Sequence, residues 1–368
     1  MEINEIVRIY GTEYKEMTMT LLEQVNLKSR IKKGMRIGIK PNLVSCTPAE
    51  YGATTHPEVV EGLVEYLQKY GFDDIKILEG SWIGDATEEA FEYCGFKKIS
   101  EKYGIRLVDE QKDSFYAADC AGMKLNICSE VSDTDFLINV PVLKGHCQTK
   151  VTCALKNMKG LIPNSEKRRF HTLGLHEPIA HLNTHIKQDF ILIDHICGDW
   201  DFEDGGNPRV TNCVMAAVDP VLVDAFACSI LSVDISDVPY IKRACELGVG
   251  ECNLSRLKLT TLNEEYAVSQ DDFSGSIHEI LDIRYAAEEV ESCSACYAGL
   301  LAALMRLHDE DGVENIPFKI NIGQGFRQKT GKFGVGNCTG KFLHTVKGCP
   351  PSVEDIYMAL KNWIEGHM

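Results

Sequence analysis

The chain has 368 residues, 44% apolar and 25% charged, the make-up of a globular protein with room for two domains. Its formal net charge of −16 opposes a phosphate backbone, which argues against a nucleic-acid partner while leaving room for a local anion-binding zone. The start carries Glu2, Glu5 and Arg8, and no window reaches the roughly 18 apolar residues of a membrane span, so a cytoplasmic protein without a membrane partner is expected.

In chain order, 35–40 reads as a strand, with β-branched Ile37 and Ile39. His56 and Pro57 open a helix with Val60, Leu63, Val64 and Leu67 at helical spacing, and Gly71 ends it. A strand over 74–78, a helix over 87–93 and a strand over 105–108 follow. The apolar run 136–140 is a strand leading into 141–146, and 149–159 is expected to be a helix with Val151, Leu155 and Met158 on one face. Strands over 190–193 and 214–218 come next, and Asp219 and Pro220 start a helix reaching Leu231. This alternation predicts an α/β fold, a mostly parallel sheet covered by helices.

Residues 261–290 are polar and acidic, which places a boundary near Tyr285 and two domains at 1–285 and 286–368. The second is a small α/β domain: a helix over 298–307, a strand over 318–322, a glycine-rich stretch over 323–340 and a helix over 353–363.

Fifteen cysteines are many for a chain expected to stay in the cytoplasm, where disulfides are rare. Eleven of them, such as Cys153, Cys213 and Cys228, sit in apolar or helical surroundings and read as small buried hydrophobes. The other four run Cys293-x2-Cys296, then Gly336-Asn337-Cys338, then Gly348-Cys349-Pro350-Pro351. Two thiolates two residues apart reach one metal centre from a single turn, and the others come from separate loops. Glycine beside each lets backbone approach a bulky inorganic core. A 4Fe–4S cluster is the expected cofactor. Structural zinc is the rival, although ten residues between Cys338 and Cys349 suit its short knuckles less well.

This order resembles the proximal-cluster motif of nickel–iron hydrogenase small subunits over the 57 residues from Cys293 to Cys349. The resemblance implies a 4Fe–4S electron carrier. It does not imply hydrogenase activity.

A second constellation follows the predicted strands of the first domain. Lys40, Asn42, Thr55 and His56 come after one strand, Glu79 after the next, and Lys144, His146 and Thr149 after a later one. Ligands of open α/β sheets bind outside the carboxyl ends of the strands, so these side chains are expected to share a crevice. Lys156 and Asn157 lie on the following segment, and Lys167, Arg168, Arg169 and His171 on what reads as a loop, making a basic zone suited to a carboxylate or phosphate. Lys40, Asn42, Lys156 and Asn157 are the candidate substrate-binding residues, and Lys144, His146 and His171 the candidate catalytic ones. The same lysines and histidines also suit a solvated loop or backbone capping. His181 and His185, four apart, read better as surface or capping residues than as a metal pair, and Asp194 and Asp224 as ligands or caps.

Residues 35–250 are similar to the family called domain of unknown function three-six-two. The matching segments are Ile39-Lys40-Pro41-Asn42-Leu43-Val44, Thr54-Thr55-His56-Pro57, Asn139-Val140-Pro141-Val142-Leu143-Lys144-Gly145-His146, Lys156-Asn157-Met158-Lys159-Gly160 and Asp219-Pro220-Val221-Leu222-Val223-Asp224. The resemblance implies an association with iron–sulfur domains, usually of the ferredoxin-like C-x2-C-x2-C-x3-C-P kind. That pattern is absent here and the hydrogenase-like one stands in its place.

Three readings follow. In the first, an anionic small molecule binds in the crevice and the cluster exchanges electrons with it, the second domain folding back over the strand ends. In the second, the chain is an electron-transfer or accessory module for a redox partner protein. In the third, a non-redox enzyme uses the cluster as a staple. No GxGxxG, phosphate loop or Ser–His–Asp order supports a nucleotide-dependent or hydrolytic chemistry.

Overall fold

A computed structural model describes residues 1–263, 283–310 and 313–366. Much of the expected boundary segment, 264–282, therefore lies outside the described residues. Contacts divide the described chain into two compact units: 1–167 with 175–263, and 168–174 with 283–310 and 313–366. No helix among the described residues is long and apolar enough to cross a membrane.

The first unit runs β1 (Glu5–Tyr10), α1 (Tyr14–Gln24), β2 (Ile37–Pro41), α2 (Pro57–Lys69), β3 (Ile75–Glu79), α3 (Thr87–Tyr93), α4 (Phe96–Tyr103) and β4 (Arg106–Asp109). A hairpin of β5 (Phe115–Cys120) and β6 (Met123–Cys128), a short α5 (Ser129–Ser132), β7 (Phe136–Val140), β8 (Lys144–His146) and β9 (Lys150–Thr152) follow. Then come α6 (Ala154–Asn157), α7 (Asn164–Thr172), α8 (His176–His185), β10 (Phe190–Asp199), β11 (Pro208–Ala217), α9 (Pro220–Ile230), α10 (Pro239–Glu246) and β12 (Lys258–Thr261).

Eight strands form one sheet in the order β12-β1-β11-β10-β7-β2-β3-β4. Only the pairings of β11, with β1 and with β10, are antiparallel. The fold is thus α/β with a mostly parallel sheet. Every residue of the central strands β2, β3 and β7 is buried, the polar Lys40, Lys76, Glu79 and Asn139 included. On one face Ile37, Ile39, Ile138 and Leu192 pack with Leu21 and Leu22 of α1 and with Leu63, Val64 and Leu67 of α2. Each such side chain contributes about 1.5–3 kcal/mol by leaving water.

Helix starts follow the sequence. Pro57, Pro220 and Pro239 occupy first-turn positions, where a missing N–H is no loss. Two expectations are corrected. The 149–159 helix is strand β9, then four residues of α6, then a 3-10 turn over Met158–Leu161. Val151 and Thr152 are β-branched and pair with β8, and the Asp224 carboxylate accepts the N–H of Ala154, fixing the helix start there. Lys167, Arg168, Arg169 and His171 sit on α7 rather than in a loop.

The second unit contains β13 (Ala287–Glu289), α11 (Ser294–His308), β14 (Ile320–Ile322), β15 (Phe333–Val335), β16 (His344–Val346) and α12 (Val353–Glu365). The four strands form a parallel sheet in the order β13-β14-β15-β16, where the sequence suggested a single strand. Ser352 caps α12 by accepting the N–H of Asp355 at 3.0 Å.

One cap holds two parts of the first unit together. Asp219 accepts the N–H groups of Val221 at 2.9 Å and Leu222 at 3.0 Å, and its other oxygen accepts that of Glu251 at 2.8 Å. Replacing Asp219 by Ala is expected to lower stability by about 1–2 kcal/mol, read as a lower urea midpoint with an unchanged slope.

Candidate functional site

The four C-terminal cysteines stand at one edge of the parallel sheet in the second unit. Cys293 follows β13 and occupies the position before α11, and Cys296 lies in that helix's first turn. Cys338 lies on the 3-10 turn Asn337–Thr339 that follows β15, and Cys349 comes three residues after β16. All four line one pocket, together with Gly323, Gly336, Asn337 and Gly348. The loops are clamped to each other. The N–H of Asn337 donates to Gly348 O at 2.9 Å, and the N–H of Gly348 donates to Asn337 Oδ1 at 3.0 Å. Gly336 has φ +85°, and a Cβ there would lie 3.7 Å from the Cys296 sulfur, inside the space the thiols share.

The electrostatics suit a cation. Burial first, then the neighbouring thiolates of Cys293, Cys349 and Cys338, push the Cys296 thiol up to about 12. A metal centre reverses that balance by neutralising the thiolates, and the positive end of α11 helps in the same direction. Cys349 is exposed and the other three are half-buried.

In the first unit the predicted crevice residues gather at the carboxyl ends of β2, β3, β7 and β10. Lys40 is buried and its Nζ donates to Glu79 Oε1 at 2.8 Å and Pro41 O at 2.6 Å. Glu79 also accepts the N–H groups of Leu43 and Gly80, at 2.7 and 2.8 Å. A Cβ at Gly160 would fall 2.4 Å from Lys40 Cε and 2.5 Å from Glu79 Oε1, so this glycine lets the backbone close over the pair. Asn157 donates to the carbonyls of Lys40 and Pro41 and to Asn139 Oδ1. Asn139 in turn donates to Gln188, and Gln188 to Asn183, which makes a chain of buried amides.

Next to this scaffold lie two more lysines. Lys144 donates to Glu203 O at 2.6 Å, to Ala53 O and, at 3.4 Å, to Asn42 Oδ1. Burial, then the nearby Lys156 charge, push Lys144 down to about 7. Lys156 is half-buried, bonds Thr152 Oγ1 at 3.2 Å, and is pushed down to about 8 by burial.

His146 Nδ1 accepts the N–H groups of Gln148 at 2.9 Å and Thr149 at 3.1 Å, which places the ring proton on Nε2, 3.2 Å from Glu203 Oε1. Cys147 Sγ lies 3.4 Å from the same carboxylate oxygen. His146, Cys147 and Glu203 thus bring three donor atoms within 4.8 Å, as do Cys245, Glu251 and Cys252, and Glu110, Asp113 and Cys128. A metal-ligating imidazole normally donates from its other nitrogen. With Nδ1 taken by two main-chain N–H groups, the His146 tautomer leaves a protonated Nε2, which argues against a metal ligand.

His56 and Asp194 form another buried pair, Nδ1 to Oδ2 at 2.9 Å. His171 is buried on the last turn of α7, within the stretch that groups with the second unit. His181 and His185 do not act as a pair. His181 Nδ1 bonds the Cys120 carbonyl at 2.8 Å, and His185 Nε2 lies 3.3 Å from the Tyr116 hydroxyl.

Sequence reasoning missed Glu203, Cys147, Asn139 and Glu110. The acidic run from Asp199 to Asp204 was the available signal for Glu203. Nothing local distinguishes Glu110, a buried carboxyl beneath Gly80 that burial pushes up to about 8.

Two outcomes follow. Glu79→Ala leaves Lys40 without its buried counter-charge and is expected to cost about 3–5 kcal/mol in urea unfolding, with much of that recovered by adding Lys40→Met. Glu110 keeps a proton in the folded chain that the unfolded chain has released, so its contribution lowers stability as pH rises from 4.5 toward about 8. Glu110→Gln should flatten that decline when melting temperatures are compared at about pH 5 and about pH 8.

Residues 37–229 match the protein family described as "Domain of unknown function (DUF362)". "Thylakoid-associated protein sll1697" of Synechocystis sp. (strain ATCC 27184 / PCC 6803 / Kazusa) is 27% identical over 239 residues, 62% of this chain and 74% of that protein. The lactate racemase apoprotein from Thermoanaerobacterium thermosaccharolyticum aligns with a TM-score of 0.43 and 14% identity over 63% of this chain and 57% of its own. A structural-genomics protein from Thermotoga maritima aligns with a TM-score of 0.37 and 14% identity over 67% and 60%. The chain spans less than two thirds of either solved structure, and at this similarity neither bears on its chemistry.

Proposed function

The chain belongs to the family of the domain of unknown function (DUF362), and we propose that it is an iron–sulfur redox protein whose α/β crevice takes an anionic small molecule. The observation that carries this reading is the meeting of Cys293, Cys296, Cys338 and Cys349 in one glycine-walled pocket, reached from three separate stretches of chain. Four thiolates are the donor set of a 4Fe–4S centre, and such a centre supplies one-electron transfer when bound.

In the crevice, Lys40 and Asn157 act as scaffold, because their polar atoms are spent on Glu79, on carbonyls and on Asn139. Lys144 is buried with its ammonium held by Glu203 O, Ala53 O and Asn42 Oδ1, so Lys156, half-buried with one bond to Thr152 Oγ1, is the lysine better placed to meet a carboxylate or phosphate. Asn42 orients Lys144. His146, fixed with its proton on Nε2, is the proton donor, with Glu203 beside it to hold or pass that proton.

The test is metal content after anaerobic purification. About four iron atoms and four sulfides per chain are expected, with an EPR signal on reduction. Cys296→Ser and Cys338→Ser should lose most of the iron, and Cys147→Ser should keep it. One zinc per chain in place of iron would replace the cluster with a structural zinc site.

A further inference from the structure

Of the eleven cysteines outside the C-terminal group, eight are buried, as expected of small core residues, but Cys46, Cys245 and Cys252 are only half-buried. Two of these three stand together. The sulfurs of Cys245 and Cys252 and a carboxylate oxygen of Glu251 all lie within 4.8 Å of one another. Ligand atoms on one tetrahedral zinc stand about 3.5–4 Å apart, so small side-chain rotations bring these three onto one ion. The other two donor groups bury two or three of their members, whereas all three members here reach solvent.

The backbone fixes that meeting. Cys245 lies on the last turn of α10, and Gly248, at φ +77°, ends the helix. The N–H of Gly248 donates to Cys245 O and that of Val249 to Ala244 O, both at 3.0 Å, which turns the chain back. Asp219 then holds the returning segment. It accepts the N–H of Glu251 at 2.8 Å, and a Cβ at Gly250 would strike its carboxylate. Glu251 is held as a ligand should be. Its Oε1 accepts the N–H of Asn253 at 3.0 Å and its Oε2 the Arg256 guanidinium at 3.2 Å, and each oxygen keeps a second lone pair. Outer partners of this kind orient ligating carboxylates.

We propose that Cys245, Glu251 and Cys252 form a zinc site, with solvent in the fourth position. Thiolates are soft ligands, which selects zinc over magnesium or calcium. Both thiols give up their protons on ligation, and no oxidation state changes. Two thiolates and a carboxylate around a divalent cation leave one negative charge, and Arg256 is in place to balance it. The ion clips the end of α10 to the segment that leads into β12. The site stands apart from the cluster reading and does not depend on it.

The test is a zinc titration of the full chain in competition with a chromophoric chelator, with wild type beside Cys245→Ser/Cys252→Ser, both prepared without oxygen. The wild-type chain should bind one zinc more than the variant, whatever the four C-terminal cysteines hold. Added zinc should raise the melting temperature of the wild type more than that of the variant. Glu251→Gln should weaken the extra zinc at least about tenfold. That variant changes no thiol, so it gives the same reading if the serine variant does not fold. Equal zinc in the wild type and both variants would overturn the proposal. So would an extra zinc that is lost in Cys147→Ser and kept in Cys245→Ser/Cys252→Ser, or a disulfide joining Cys245 to Cys252 in the chain as isolated. Iron measured on the same samples keeps the two readings separate. An iron-free chain that still shows the zinc difference sinks the cluster and keeps this site, and an iron-loaded chain without the difference does the reverse.

Discussion

The Lys40–Glu79 ion pair sets the terms for the carboxyl edge of the large sheet. Two opposite charges taken out of water are tolerable only if the atoms left over by the pair are also satisfied. That requirement explains why Leu43 and Gly80 turn their N–H groups toward Glu79, why Asn157 bridges the carbonyls of Lys40 and Pro41, and why residue 160 has no side chain. The amide chain through Asn139, Gln188 and Asn183 extends the same satisfaction toward α8. The edge is held rigid by polar contacts where the rest of the sheet is held by apolar ones.

The same framework anchors Lys144, whose ammonium is held by Glu203 O, Ala53 O and Asn42 Oδ1. His146 is fixed by two main-chain N–H groups in one tautomer, which decides which nitrogen faces Glu203. The second unit uses a different device for a similar end. Its strands are only three residues long, and the loops after them are locked by the exchange of hydrogen bonds between Asn337 and Gly348.

Much of the first unit was legible from residue order. The run Phe136–Val140 and the helix opening at Pro57 stand where apolar periodicity and proline placed them. Periodicity failed where tertiary pairing outweighed it. Val151, Leu155 and Met158 have helical spacing, yet the chain around Val151 pairs with β8 and becomes helical only where Asp224 supplies a cap. Three-residue strands such as β15 are too short to show a period. The four cysteines stood out in the sequence because Cys293 and Cys296 share a Cys-x2-Cys spacing, glycine marks the Cys338 loop, and glycine and proline flank Cys349. The grouping of Glu203 with His146 did not, because 56 residues separate Glu203 from Cys147, and only the pairing of distant strands brings them together.

The position of β1 in the sheet has a consequence for how the protein is made. Its two partners are β11 and β12, which begin at Pro208 and Lys258. The ribosome therefore releases the segment EIVRIY some two hundred residues before anything can pair with it. Three of its first four positions are apolar or shielded in the finished sheet, and its hydrogen-bonding edges stay open throughout elongation. Closure of the sheet is a late event that joins the two ends of the unit, and a nascent chain stalled before β11 presents a template for pairing with other chains.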